Sequence, residues 1–103
     1  RMKEITIKEL LKLKKNKVQI IDIREKYEYD NGHLNSTHIP MEDILNYQDK
    51  ICREKTVVIY CQSGRRAAAV IYMLKKEFNF NNLYNLSGGY SAYNNLHKQK
   101  NIN

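Results

Sequence analysis

The stretch 57–69 brings together a cysteine, a short polar loop and two arginines. An apolar, β-branched run ends at Cys61, and an alanine-rich helix is predicted to begin soon after it. This order places the thiol beside the unpaired backbone N–H groups of a helix N-terminus, where negative charge is favoured. We therefore expect Cys61 to be held as the thiolate, the form of cysteine that reacts.

The loop after the cysteine has the composition of an anion cradle, and its residues are Gln62, Ser63, Gly64, Arg65 and Arg66. Because glycine tolerates a positive φ, Gly64 allows the amides of residues 62–66 to converge on one atom. Arg65 and the Ser63 hydroxyl are expected to bind an anionic substrate, with a solvated surface arginine as the alternative for Arg65. Arg66 is expected to order the loop by pairing with a carboxylate or with carbonyl oxygens.

Three motifs in this chain resemble those of the rhodanese family, the sulfurtransferases. The loop motif is Cys-x-x-Gly-x-Arg between a buried strand and a helix. The upstream motif comprises Ile21-Asp22-Ile23-Arg24-Glu25, Tyr27-Glu28-Tyr29, Gly32-His33-Leu34 and His38-Ile39-Pro40. The downstream motif is Leu86-Ser87-Gly88-Gly89-Tyr90 with Tyr93. The resemblance spans about residues 5–97, which is nearly the whole chain.

Two positions depart from the family pattern. The segment Leu34-Asn35-Ser36-Thr37 stands where the family usually has a Gly-Ala pair, and it is one residue short. This leaves the geometry of that loop open. Gln62 stands where the family often has arginine, which removes one cation that Arg65 would replace.

The resemblance implies a thiosulfate sulfurtransferase with Cys61 as its nucleophile. Cys61 would take a sulfane sulfur from thiosulfate or a protein persulfide, hold it as a persulfide and pass it to cyanide or a thiol. No cofactor and no metal are expected. Asp22 and Arg24 are expected to brace the loops as a structural pair, and Gly88 and Gly89 to let the last loop approach the active-site loop.

Other functions remain open from the sequence. A cysteine-dependent phosphatase or arsenate reductase also uses a Cys-loop-Arg site, but its Cys-x5-Arg spacing would need arginine at the position of Ala67. Arg66 gives Cys-x4-Arg, a smaller cradle that suits one sulfur atom. A non-catalytic sulfur-carrier or docking module is the third candidate, although inactive relatives typically lose the cysteine that this chain retains.

Several remaining side chains have less specific expectations. His33 is expected to stabilise a turn and not to act as a general base, and Tyr60 and Tyr90 are expected to wall the pocket. Cys52 lies nine residues before Cys61, a spacing typical of neither a redox pair nor a zinc site, so we expect it to be inert. Two such cysteines fit a reducing, cytoplasmic setting, although the Arg1-Met2 start leaves a removed signal peptide open.

The bulk composition favours one globular domain, residues 1–103, without a membrane partner. The net charge of +7 does not indicate nucleic-acid binding, because the lysines are scattered and no basic stripe alternates with aromatic residues. The exception is a cluster around the end of the first predicted helix, where cations complement the helix dipole: Lys12, Lys14, Lys15 and Lys17.

Strands alternate with helices, which predicts an α/β domain with a mainly parallel central sheet flanked by helices on both faces. Strands are predicted at 4–5, 18–23, 56–60 and 82–86. Helices are predicted from a Thr6–Glu9 capping box to about residue 16, and at 25–30, 41–47, 67–78 and 90–97. The tail, 98–103, is expected to fray. In such sheets ligands bind beyond the carboxyl ends of the strands, which is where Cys61, Asp22 and Arg24 fall.

Overall fold

The computed structural model describes the backbone of residues 1–102 and the side chains of residues 1–98. Five parallel strands form one sheet in the order β1-β5-β4-β2-β3. The strands are β1 (Glu4–Ile5), β2 (Val18–Asp22), β3 (Thr37–His38), β4 (Thr56–Tyr60) and β5 (Leu83–Leu86). The α-helices are α1 (Ile7–Leu11), α2 (Lys26–Asp30), α3 (Arg65–Phe78) and α4 (Gly89–Ile102), and two 3₁₀ helices span Lys15–Lys17 and Ile44–Lys50.

Apolar side chains of the central strand β4 alternate between two cores, one on each face of the sheet. Val57 and Ile59 belong to the cluster that includes the buried face of α3 and the 3₁₀ residue Ile44. Val58 and Tyr60 belong to the cluster that α1 and α4 cover. All four side chains are fully buried, which explains why the strand is apolar at every one of these positions. The predicted fold class, a parallel α/β sheet with helices on both faces, is confirmed.

Strands β1, β2, β4 and β5 lie where the sequence predicted them, within one residue at each end. The capping box is present, since the Glu9 N–H donates to the Thr6 hydroxyl and the Thr6 N–H donates to the Glu9 carboxylate. However, α1 ends at Leu11 and not near residue 16. Only Ile7 and Leu10 of α1 are buried, so packing supports a single turn or so of helix and no more.

Other differences involve weakly patterned segments. The helix predicted at 41–47 is a turn followed by the 3₁₀ helix Ile44–Lys50, which is kinked at Tyr47. The two-residue strand β3 was not predicted, because its strand conformation depends on pairing with Ile21 and Asp22, which come earlier in the chain. Helix α3 starts two residues earlier than predicted and α4 continues to Ile102, past the predicted end at 97. The expected fraying of 98–103 stays a prediction, and its last residue, Asn103, lies outside the described residues.

None of the helices within residues 1–102 is long and apolar enough to cross a lipid bilayer.

Candidate active site

Cys61 lies directly after β4, and its side chain is fully buried at the carboxyl end of the sheet. Two backbone amides donate to its sulfur: the Gly64 N–H at 3.1 Å and the Ala67 N–H at 3.3 Å. The Gly64 amide belongs to the loop, whereas the Ala67 amide belongs to the first turn of α3. Ala67 lies one residue beyond the range 62–66, whose amides were expected to form the cradle. Two backbone N–H groups therefore converge on this sulfur, an arrangement that can donate hydrogen bonds to negative charge.

Gly64 has a backbone conformation that determines the shape of this cradle. It caps α3 with a φ of +106°, which side-chain-bearing residues rarely adopt. Its carbonyl accepts a hydrogen bond of 3.0 Å from the side-chain amide of Asn85, which lies near the end of β5. The neighbouring strand therefore holds the turn that aims the amides at the sulfur.

The Gln62 side chain connects the loop to two other parts of the chain. Its carbonyl oxygen accepts from Arg24 Nη1 at 3.1 Å, and its amide nitrogen donates to the Ser91 hydroxyl at 3.1 Å. The sequence placed Gln62 in the active-site loop and indicated the loss of a cation there, but it did not predict this bridge. In contrast, Ser63 and Arg65 are exposed, and neither side chain has a hydrogen-bond partner in the described part of the chain.

Arg66 pairs with the carboxylate of Glu28, which lies on α2. Both guanidinium Nη atoms donate to it, at 2.8 and 2.9 Å. Glu28 also accepts from the Glu25 N–H at 3.0 Å and thereby caps the helix that carries it. The hydrogen bonds from Arg66 lower the pKa of Glu28, and those to Glu28 raise the pKa of Arg66. The pair therefore fixes the start of α3 against α2.

Asp22 and Arg24 form a fully buried ion pair at the end of β2. Arg24 Nη2 donates to one carboxylate oxygen at 2.7 Å and Nε to the other at 3.0 Å. Arg24 Nη2 also donates to the Gly32 carbonyl at 2.8 Å, and its guanidinium carbon lies 4.3 Å from the centre of the Tyr90 ring. Burial is the largest influence and works to lower the pKa of Arg24. The hydrogen bonds to Asp22, the charge of Asp22 and the neighbouring Tyr60 together outweigh burial, and the pKa is raised.

The first turn of α4 approaches the backbone of the active-site loop closely. The Tyr90 N–H donates to the Cys61 carbonyl at 2.8 Å, and the Ser91 N–H donates to the Gln62 carbonyl at 3.0 Å. A Cβ atom on Gly89 would overlap the Cys61 carbonyl and would lie 2.6 Å from the Gln62 carbonyl oxygen. Glycine is therefore required at Gly89 for the N-terminus of α4 to bind the loop.

The sequence that contains this thiol and its amide cradle also matches a known protein family. The family model for the rhodanese-like domain matches residues 6–96. This chain belongs to the rhodanese-like family. The rhodanese-like resemblance seen in the three sequence motifs is thereby confirmed.

Similar proteins cover most of this rhodanese-like chain. The Bacillus subtilis protein YqhL is 33% identical over 85 residues, which cover 82% of this chain and 67% of YqhL. The thiosulfate sulfurtransferase GlpE of Coxiella burnetii is 30% identical over 92 residues, covering 88% of this chain and 85% of GlpE. The crystal structure of a rhodanese-like domain protein from Staphylococcus aureus has a TM-score of 0.77 and 33% identity. It covers 89% of this chain and 91% of that one.

Two other candidate residues of the rhodanese-like domain lie away from the sulfur. The His33 ring forms a 2.7 Å hydrogen bond with the Leu34 carbonyl and stacks on Tyr29, so it stabilises the turn. Tyr60 was expected to wall the pocket, but it is fully buried, and its hydroxyl accepts from the Leu34 N–H at 3.0 Å. Burial raises its pKa well above the ordinary value of 10.0. That expectation was wrong, because β4 directs Tyr60 into the core that α1 and α4 cover.

Cys52 lies at the opposite end of β4 from Cys61, four residues before the strand begins. Its side chain is half-buried and packs against the core on the α3 face. Both cysteines are free thiols. The fold therefore separates the two sulfur atoms by the length of the central strand, and Cys52 has no part in the cradle.

Proposed function

We propose that this chain is a sulfurtransferase that carries a sulfane sulfur on Cys61. The observation that supports the proposal most directly is the pair of N–H donors, Gly64 and Ala67, on the sulfur. A terminal persulfide sulfur is an anion at neutral pH and needs such donors in a site away from water. The relative named thiosulfate sulfurtransferase GlpE supports the same reaction class.

The reaction consists of two displacements at sulfur. The Cys61 thiolate attacks the outer sulfur of thiosulfate, a new S–S bond forms, and sulfite leaves with the electron pair of the bond that breaks. Cyanide or a thiolate then attacks the terminal sulfur of the persulfide. In that step the S–S bond breaks, the sulfur leaves as thiocyanate or as the acceptor's persulfide, and the Cys61 thiolate is regenerated.

Arg65 and Ser63 are the residues we assign to the donor. Ser63 lies in the loop after Cys61 and Arg65 is the first residue of α3. Both are exposed, and neither side chain is bound elsewhere in the described residues. A guanidinium and a hydroxyl match the sulfonate oxygens of thiosulfate. A protein persulfide would use the same loop. Because both cysteines are free thiols, we further propose a reducing, cytoplasmic setting.

The geometry of Arg66 argues against the phosphatase and arsenate reductase alternatives. In those reactions the loop arginine would have to bind the equatorial oxygens of a tetrahedral oxyanion. Here both Nη atoms of Arg66 are bound to Glu28. Arg65 is exposed, but a loop that ran from Cys61 to Arg65 would be even shorter than the Cys-x4-Arg loop to Arg66, and so shorter still than the Cys-x5-Arg loop of those enzymes.

Intact mass spectrometry after incubation with thiosulfate tests the proposal. We expect a species heavier by one sulfur atom, which peptide mapping places on Cys61 and which cyanide discharges stoichiometrically. Cys61→Ser should abolish loading, and the matched variant Cys52→Ser should retain it. If neither thiosulfate nor a small persulfide such as cysteine persulfide loads Cys61, the proposed function is wrong.

A further inference from the structure

Strand β2 has one side that is only partly covered. Strand β4 pairs with all of β2, from Val18 opposite Thr56 to the last residue of each strand. On its other side, β3 pairs only with Ile21 and Asp22. In the part of the chain that the structure describes, residues 18–20 therefore have a strand on one side alone. We call this stretch the open edge.

Backbone groups of the open edge point toward the uncovered side. The Asp22 carbonyl accepts from the Ile39 N–H at 2.9 Å, so the backbone groups of Asp22 point away from β4. In a strand, alternate residues point their backbone groups to the same side. The N–H of Ile20 and both backbone groups of Val18 therefore face the side where another strand would bind.

An apolar groove lies on one face of the open edge. Its volume is about 370 Å³, and it is lined by apolar side chains of α1, of the turn after α1, of β2 and of α4, among them Leu11, Leu13, Val18, Ile20 and Tyr93. Leu11 is 54% exposed and Leu13 is 38% exposed, although both are large apolar residues. A groove of this size accommodates one or two aliphatic side chains.

A second, polar groove lies on the opposite face of the same edge. Its volume is about 290 Å³, and its lining includes Gln19, Cys52 and Lys55. Val18 and Ile20 line both grooves, so the open edge runs between them. A strand bound to this edge would direct alternate side chains into the two grooves, which is the arrangement of β-strand addition.

The charges around the grooves select the kind of strand. Lys15 lines the apolar groove and Lys55 the polar one, and neither lining contains an acidic residue. The exposed cluster Lys12, Lys14, Lys15 and Lys17 continues this positive surface, and none of these lysines forms an ion pair with the side chains that the structure describes. A second copy of this chain, with a net charge of +7, would be repelled here.

We propose that the open edge binds an extended segment of an acidic partner protein in which apolar residues alternate with Asp or Glu. The apolar side chains fill the groove beside Leu11 and Leu13. The carboxylates that point into the polar groove reach Lys55, and those at the end of the segment beside Val18 reach the lysine cluster that precedes β2. The backbone of the segment pairs with Val18 and Ile20. This interaction is independent of the chemistry at Cys61, because none of these residues contacts the cradle.

Nuclear magnetic resonance of the ¹⁵N-labelled chain tests the proposal with a short acetylated peptide in which leucine and glutamate alternate. We expect binding that slows amide hydrogen exchange at Val18 and Ile20 by about tenfold or more. The same peptide with lysine in place of glutamate should bind at least about tenfold more weakly. The double variant Lys15→Glu, Lys55→Glu should weaken binding similarly, and the matched control Lys75→Glu, Lys76→Glu on α3 should not.

Four results would each overturn the proposal. The first is no preference for the acidic peptide over the basic one. The second is binding with unchanged exchange at both amides, and the third is an equal loss in the α3 control. The fourth is a different occupant of the open edge. Octanoate would then slow exchange at Val18 and Ile20 as much as the acidic peptide does, or sedimentation would show that the chain forms dimers through itself.

Discussion

Two arginines stand next to each other in the active-site loop, and the fold separates their roles. Arg66 is held by Glu28 through two hydrogen bonds, whereas Arg65 is exposed and bound to nothing in the described residues. The sequence predicted this division, because one cation has to order the loop and another has to remain available for a substrate anion. It could not identify Glu28, which is 38 residues away along the chain.

Arg65→Ala tests the residue-scale division. We expect the KM for thiosulfate to rise about tenfold, equivalent to about 1.4 kcal/mol, with a smaller change in kcat. The reason is that an exposed side chain at the start of α3 is expected to bind substrate and transition state alike. Steady-state kinetics of thiocyanate formation measure both constants, and Lys76→Ala, an exposed cation on the same helix, should change neither. A large fall in kcat with an unchanged KM would contradict the assignment.

At the scale of elements, the strongly patterned segments were predictable and the weakly patterned ones were not. Strand β4 is a continuous apolar run, and α3 repeats Ala67, Val70, Ile71 and Leu74 on its buried face. In contrast, β3 exists only because Ile21 and Asp22 offer it backbone partners. Its two residues contain no local signal, since their conformation depends on a strand that comes earlier in the chain.

The contact between α2 and α3 depends on one ion pair and should depend on pH. Hydrogen bonds from Arg66 lower the pKa of Glu28 below its ordinary value of 4.5, so the folded state favours the ionised carboxylate. Its stabilisation is fully present above 4.5 and is lost as the pH falls through the lower, folded-state pKa.

Glu28→Gln removes that linkage. We expect the variant to lose about 1 kcal/mol in the free energy of unfolding at pH 7, because the pair is partly exposed. The difference from the unmodified protein should disappear in acid, because the protonated Glu28 of the unmodified protein is then as neutral as the glutamine of the variant. Urea unfolding across pH 3–7 measures it, with Glu77→Gln as a control, since Glu77 on α3 forms no ion pair among the described side chains. A difference that persists unchanged at the acid end would contradict the ion-pair account.

At the scale of the whole molecule, the site forms where three segments that are distant in sequence meet at the carboxyl end of the sheet. The segment from Cys61 to the first turn of α3 supplies the sulfur and its amides. The first turn of α4 binds the loop carbonyls, and Arg24 joins both segments to β2. The loop chemistry could be read from adjacent residues. The bridge from Arg24 through Gln62 to Ser91 could not, because it depends on how the segments pack.

Arg24 is the side chain on which this assembly depends most. Its guanidinium binds Asp22, the Gly32 carbonyl and Gln62 while remaining fully buried. Arg24→Met should cost about 3–5 kcal/mol in the free energy of unfolding, because it leaves the buried carboxylate of Asp22 without a counter-charge. The double variant Asp22→Asn, Arg24→Met should recover part of that loss. The asparagine side chain carries no charge. Its oxygen can still accept the hydrogen bond that the backbone N–H of residue 24 gives to Asp22 in the unmodified protein.

Urea unfolding of the two variants measures the stability of the fold, and sulfur loading from thiosulfate measures whether Arg24 positions the active-site loop. The double variant should be more stable than Arg24→Met and yet should load Cys61 as poorly, because neither variant can hold Gln62 in place. If the double variant were less stable than Arg24→Met, the unpaired carboxylate would not be the source of the loss. If it loaded sulfur as fast as the unmodified protein, Arg24 would brace the fold alone, and the loop would keep its shape through the Gly64 turn and the N-terminus of α4.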